Sequence, residues 1–367
     1  MTEPGRPIQG VTLYSFTRAF HARQVDLEGL IRRVAADGMG PGLEIIGFSS
    51  FRGFPHLDDA FVDWFQGIVA ETGLVLTACA VNTDVGIRRD RLLTDDELID
   101  YMELQISAAA RLGFPLARVQ ISLSPDSMER LLPVAEHHGI TLGIEVHAHH
   151  HPHHPQVQAL CDRYESLGSP LLGFVADWGT TTSGLAPSMV EAYRRRGASP
   201  ALIEAAQQLW TQYYVEGPPP TEPAHGARFG SFIELAGRYG SPELGIDLAI
   251  NATGLFGPAR VESWLEIMPW VRHVHGKFFG IDAAGEEPSV PVRQLISQLV
   301  EVGYTGAIST EYEGWHWNHW DDAFEIVAGE QALQRTAAAE AGSRMAVDAA
   351  EARAQLRAHL AGPVRAG

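Results

Sequence analysis

The segment LGIEVHAHHHPHHP, residues 142–155, sets Glu145 and His147 two positions apart and follows them with His149, His150, His151, His153 and His154. On an extended chain a spacing of two puts both side chains on one face. The same spacing recurs in VRHVHGKFF (His273, His275, Lys277) and in GAISTEYEG (Glu311, Glu313). GLEIIGF adds Glu44 and LLGFVADWG adds Asp177. Buried acids are costly unless paired or bound to a cation, so several that converge require one. Carboxylate oxygens with an imidazole suit Mn²⁺, Mg²⁺, Co²⁺ or Zn²⁺, and hard ligands favour the first two. Cys79 and Cys161 lie elsewhere and read as reduced core or near-core thiols, which argues against a structural zinc.

These residues need elements to hold them. Eight apolar runs bounded by Gly, Pro or Asp have the look of parallel strands covered on both faces: 11–16, 42–48, 74–81, 117–123, 141–148, 171–179, 271–279 and 306–314. Amphipathic helical patterns separate them. One is DDELIDYMELQISAAARLG, with Thr94 as N-cap and Gly113 as the stop. Strand then helix, eight times, predicts an α/β fold, a (β/α)8 or TIM barrel, in preference to a doubly wound sheet. In such a barrel working residues sit at the C-terminal strand ends, where the acids, imidazoles and Lys277 fall.

The sixth and seventh strands lie about ninety residues apart, where a βα unit needs about thirty. Residues of about 180–250 therefore read as a helical insertion on the barrel rim, with 244–254 an extra strand or an insertion loop. The expected division is a barrel over 1–340 and a helical tail over 341–367. His273 is expected beneath the barrel mouth, Glu313 and His319 at the rim, and the later histidines of 149–154 in a partly solvated loop.

A net charge of −18 over 367 residues opposes a nucleic-acid partner, whose phosphates are bound by Lys and Arg. No apolar run reaches the roughly 18 residues of a membrane span. The N-terminus shows no signal layout, so the expected location is cytoplasmic.

The order Glu145, Asp177, His275 and Glu311 on successive strands, with VRHVHGKFFG as its most specific segment, resembles the xylose isomerase-like barrel family of sugar isomerases and epimerases. The likeness covers most of the chain outside the insertion and tail. It implies that these four residues bind one divalent cation, commonly manganese, and that a proton is abstracted next to a sugar carbonyl. DWGTTTSG lacks the histidine that epimerases usually carry after this aspartate. That absence, the insertion and IEVHAHHHPHHP resemble a narrower group, the large (alpha) subunits of C-glycoside deglycosidases, which act with a small β-rich subunit.

The narrower resemblance implies a carbon–carbon lyase acting by β-elimination on a glycoside already oxidised at the third sugar carbon. A ketose isomerase or epimerase is the alternative. His147 is the first choice for the base, since imidazole titrates near working pH. Lys277 is expected either to hold an oxyanion or to pair with a barrel acid, and Glu145 and Glu311 are further candidates as proton shuttles. Glu44 is expected among the substrate-binding groups. Trp178, Phe278 and Trp315, with Phe279 and Trp317, are expected to stack on sugar or flavonoid rings or to pack beneath the C-terminal helix.

Overall fold

The computed structural model describes residues 4–218 and 222–362. Eight parallel strands close into a barrel in chain order. They are β1 (Ile8–Thr12), β2 (Gly42–Ile46), β3 (Val75–Ala80), β4 (Leu116–Val119), β5 (Thr141–Val146), β6 (Leu172–Asp177), β7 (Val271–Phe278) and β8 (Ala307–Tyr312). β1 pairs with β8 to complete the ring. Every strand has helices or turns behind it, which is why the strands read as apolar runs.

The first and fourth strands differ from expectation. β1 ends at Thr12, whose hydroxyl accepts the Tyr14 amide at 3.3 Å and opens a 3-10 turn over Leu13–Phe16. β4 stops at Val119, four residues before the end of its apolar run. Helix Asp95–Leu112 follows its sequence signals. Thr94 and Glu97 form a reciprocal capping box, and Gly113 ends the helix at φ 95°, a left-handed conformation that glycine adopts without strain.

Between β6 and β7 lie helices Pro187–Arg195, Pro200–Trp210, Glu222–Arg238 and Gly245–Gly254. The last corrects the expectation of a strand or loop. Leu248, Ala249 and Ala252 recur at helical spacing and are buried, and Gly245 lies against Ile233 of the preceding helix. Residues 219–221 of the expected insertion and 363–367 of the expected tail lie outside the described residues.

After helix Ala323–Glu340, Ala346 bridges to Ile8. Helix Ala349–Ala361 then closes the N-terminal end of the barrel. Ala352, Leu356 and Leu360 form its apolar stripe and pack with Ile8, Val75, Leu116, Val175 and Ala307 from five strands. Gln355 also donates to the carbonyls of Arg6 and Thr305 at 2.6 and 2.8 Å. The barrel therefore has one sealed end and one open end. No helix among the described residues is long and apolar enough to cross a membrane. Leu356→Ala is expected to lower stability by about 2–5 kcal/mol, read as a reduced midpoint in denaturant unfolding.

Candidate metal centre and active site

Register sets the site. Asp177 pairs with His275 across β6 and β7, and Lys277 pairs with Glu311 across β7 and β8. Glu145 lies at the end of β5 on the same inward face. One donor atom from each of Glu145, Asp177, His275 and Glu311 falls within 4.8 Å of all the others, and all four residues are buried. His275 Nδ1 lies 2.5 Å from Glu145 Oε1 and 3.5 Å from Glu311 Oε2. The sequence-derived tetrad thus converges on one point.

The site holds more negative than positive charge. Glu44, Glu145, Asp177, Glu311 and Glu313 are all at most 6% exposed. They face Lys277, Arg118 and, if protonated, His275, so the acids outnumber the cations. Burial pushes the Glu311 carboxyl up to about 8, against the pull of His275 and Lys277 and with help from Glu313 and Asp177. Burial opposes an imidazolium at His275, yet the Glu311, Glu44 and Glu145 carboxylates hold its pKa well above the ordinary value. Asp177 Oδ2 and Glu311 Oε2 make no hydrogen bond. Each comes within ion-pair reach of Lys277, at 2.6 and 3.6 Å, and of an imidazole, Asp177 of His147 at 3.7 Å and Glu311 of His275 at 3.5 Å. Unsatisfied buried oxygens in a net-negative cage of carboxylates and one imidazole fit a divalent cation.

Glu44 lies beneath this cage and not in the substrate cavity. It is 1% exposed, with Oε1 2.8 Å from His275 Nε2 and Oε2 3.0 Å from His273 Nε2. This is where an outer carboxylate fixes the ring orientation of a metal-ligating histidine. His273 also meets Ser309 Oγ at 2.9 Å and fills the space below the mouth, as expected.

Lys277 pairs with barrel acids, one of its two expected roles. Its ammonium lies 2.6 Å from Asp177 and 3.2 Å from Glu313, and it is 2.8 Å from His147 Nε2. His147 Nδ1 is 2.7 Å from the Ala148 carbonyl, which can only accept, so Nδ1 carries the proton. The lone pair of Nε2 therefore faces Lys277 and the cavity. Asp177 is held by its own turn: its Oδ1 accepts the Gly179 amide at 2.6 Å. A Cβ at residue 179 would lie 2.6 Å from Lys277 Cδ and 2.9 Å from Asp177 Oδ1.

Above the cage a cavity of about 530 Å³ is bounded by Glu145, His147, Lys277, Glu311, Arg118 and Tyr14. Glu313, expected at the rim, is buried and lines this cavity, whereas His319 is exposed. His149, His150 and His225 form one wall, with the His149 and His225 rings stacked 4.0 Å apart. His150 is only 7% exposed, less solvated than a loop histidine should be. His154 caps helix Pro155–Leu167.

None of the four side chains expected to bind substrate lines the cavity. Besides Glu44, Phe278 alternates outward from Lys277 and packs on Tyr312 at 5.3 Å. Trp178 turns into the core at 2% exposure. Trp315 backs Tyr14 edge-on at 5.2 Å and so supports the wall from behind. Tyr14 and Phe48 are the aromatic rings at the cavity besides its histidines. Arg118 on β4 was not anticipated. Its Nη1 is 3.6 Å from Glu145, and its Nε has no partner.

A C-glycoside deglycosidase alpha subunit of Arthrobacter globiformis is 68% identical over 366 residues, all of both chains. The chain belongs to the C-glycoside deglycosidase alpha-subunit family. Another member, the 3'-dehydrocarminate deglycosidase alpha subunit of a Microbacterium species, is 50% identical over 91% of this chain and 96% of its own. No protein-family model matches. Among solved structures, D-allulose 3-epimerase from Methylomonas sp. shares the fold over 92% of this chain and 100% of its own, at TM-score 0.50 and 13% identity. Deglycosidase alpha subunits and that epimerase thus share a barrel. In this chain Glu44→Gln, which leaves one of the two histidines facing an amide group of the wrong polarity, is expected to weaken divalent-cation binding about 10- to 100-fold. Metal titration of the folded variant checks this.

Proposed function

We propose that this chain is the catalytic subunit of a C-glycoside deglycosidase that cleaves 3-oxo-C-glycosides by β-elimination. The observation that carries the reading is the position of His147, whose ring lines the cavity beside the four-residue cage with Nδ1 held by the Ala148 carbonyl. The relative named for 3'-dehydrocarminate supports a sugar oxidised at its third carbon.

A carbon–carbon glycosidic bond offers no leaving oxygen to protonate, so the usual two-carboxylate hydrolysis fails. A ketone at the third carbon acidifies the proton on the second. His147 Nε2 takes that proton, and electron density moves onto the ketone oxygen. Collapse of the resulting enolate forms a double bond between the first and second carbons and expels the aryl carbon. Protonated His147 is then placed to return a proton to the departing carbon. A divalent cation, manganese by ligand type with magnesium, cobalt and zinc as alternatives, would be held by Glu145, Asp177, His275 and Glu311 and would act as a Lewis acid.

Lys277 keeps His147 oriented and neutral by donating to Nε2 until substrate arrives, and it can then donate to a sugar oxygen. Arg118, with its free Nε at the cavity, is placed to hold a hydroxyl or an oxyanion. Tyr14 and Phe48 offer the ring surfaces that Trp178, Phe278 and Trp315 do not.

Relatives carry the name alpha subunit, which supports a small beta subunit as partner. Two buried free cysteines support a reducing, cytoplasmic setting.

His147→Gln, assayed with the partner subunit on an oxidised C-glycoside, is expected to reduce kcat by about 10²–10⁴ while elemental analysis finds unchanged metal content. Loss of metal in that variant would remove His147 from the role of base. Asp177→Asn is expected to lose the metal together with the activity. Incubation with a free ketose in deuterated water is expected to leave the sugar unlabelled. Label entering with inverted configuration would make this an epimerase.

A further inference from the structure

Arg272 stands one residue before the inward-facing His273, so its side chain leaves the outer face of β7. It crosses Gly173 of β6, where a Cβ would meet its Cγ at 2.5 Å, and reaches the end of helix Ala349–Ala361. It is 3% exposed. Nη1 makes one long hydrogen bond, 3.4 Å to the Gly362 carbonyl, while among the described residues Nε and Nη2 have no hydrogen-bond partner. Among the described residues no carboxylate pairs with it, and burial depresses its pKa with Tyr304 opposing. Arg118 and Lys277, the buried cations of the metal centre, both face acids. A guanidinium keeps its charge in proteins, and a buried charge without a counter-charge is strongly unfavourable.

A cavity of about 350 Å³ opens beside this group. Its walls include Met268, Tyr304, Thr305, His359 and Gly362. Burial and the neighbouring Arg272 charge hold the His359 pKa down to about 3, so its ring is neutral. His359 Nδ1 shares a hydrogen bond with Thr305 Oγ1 at 3.3 Å, and its buried Nε2 has none. Nε and Nη2 share one edge of the guanidinium plane, the edge that receives two oxygens of a carboxylate or phosphate in parallel. The cavity lies at the sealed end of the barrel. Arg272 and Lys277 are five positions apart on β7, roughly 17 Å along the strand.

We propose that this cavity is an oxyanion site, distinct from the metal centre, in which the Nε–Nη2 edge of Arg272 grips the carboxylate or phosphate group of a small molecule. An anion bound there supplies the missing counter-charge and ties β7 to the C-terminal helix. Binding to the folded state alone raises thermal stability with ligand concentration.

The test uses the full chain with metal restored and excess metal removed. Thermal unfolding is followed against inorganic phosphate and, separately, acetate, with chloride matched for ionic strength. A saturable rise in Tm with one or both probes is expected, weakened at least tenfold in Arg272→Gln. A response to phosphate alone assigns a phosphate site, and a response to acetate alone assigns a carboxylate site. No rise with either probe, or an equal rise in wild type and variant, overturns the proposal. Should Arg272→Gln fail to fold, wild-type crystals soaked in the same probes decide. Density bridging Nε and Nη2 is expected, and its absence with both probes overturns the proposal.

Discussion

The open end of this barrel is governed by an imbalance of buried charge. Five carboxylates converge there on fewer cationic groups, in a space that water barely enters. Such a cluster resists closure unless something positive occupies its centre. Closure is nevertheless enforced by the strands, whose register brings the acids together around His275 and Lys277. The fold thus creates an electrostatic need, and the residues around it meet that need in graded fashion. Lys277 neutralises the Asp177 and Glu313 side, Arg118 approaches Glu145, and Glu44 is absorbed by two imidazoles.

The same arrangement prepares the base. The Ala148 carbonyl accepts from His147 Nδ1, and the ammonium of Lys277 lies against Nε2, so both ring nitrogens are held in place. The network therefore holds two histidines from β7 and the end of β5 differently: His275 meets carboxylates at both nitrogens, whereas His147 meets a backbone carbonyl at Nδ1 and Lys277 at Nε2.

Much of this was legible in the chain. Glu145, Asp177, His275 and Glu311 announced themselves as charged residues closing apolar runs, and a period of two already placed His147 with Glu145. Tyr14 escaped because VTLYSF reads as one strand. Only the hydrogen bond from Thr12 shows that the strand ends early and swings the phenol over the cavity. Arg118 escaped because one cation inside ARVQISL looks like a strand edge, whereas the strand is short and its second-last residue faces the acids. The aromatic residues were misplaced for a reason present in the sequence itself. If Lys277 points inward, Phe278 must point outward. Glu44 was seen as a strand-end acid, but its depth follows from the stagger of β2 against β7, which no single segment encodes.

One wall of the reaction chamber belongs to neither the strands nor their regular crossovers. His225 rides on helix Glu222–Arg238 and Gly254 closes the following helix, both within the long excursion between β6 and β7. The acidic cage and this wall of the cavity are thereby housed in separate stretches of chain. Changes in the excursion can redraw that wall while the strands that carry Glu145, Asp177, His275 and Glu311 stay untouched.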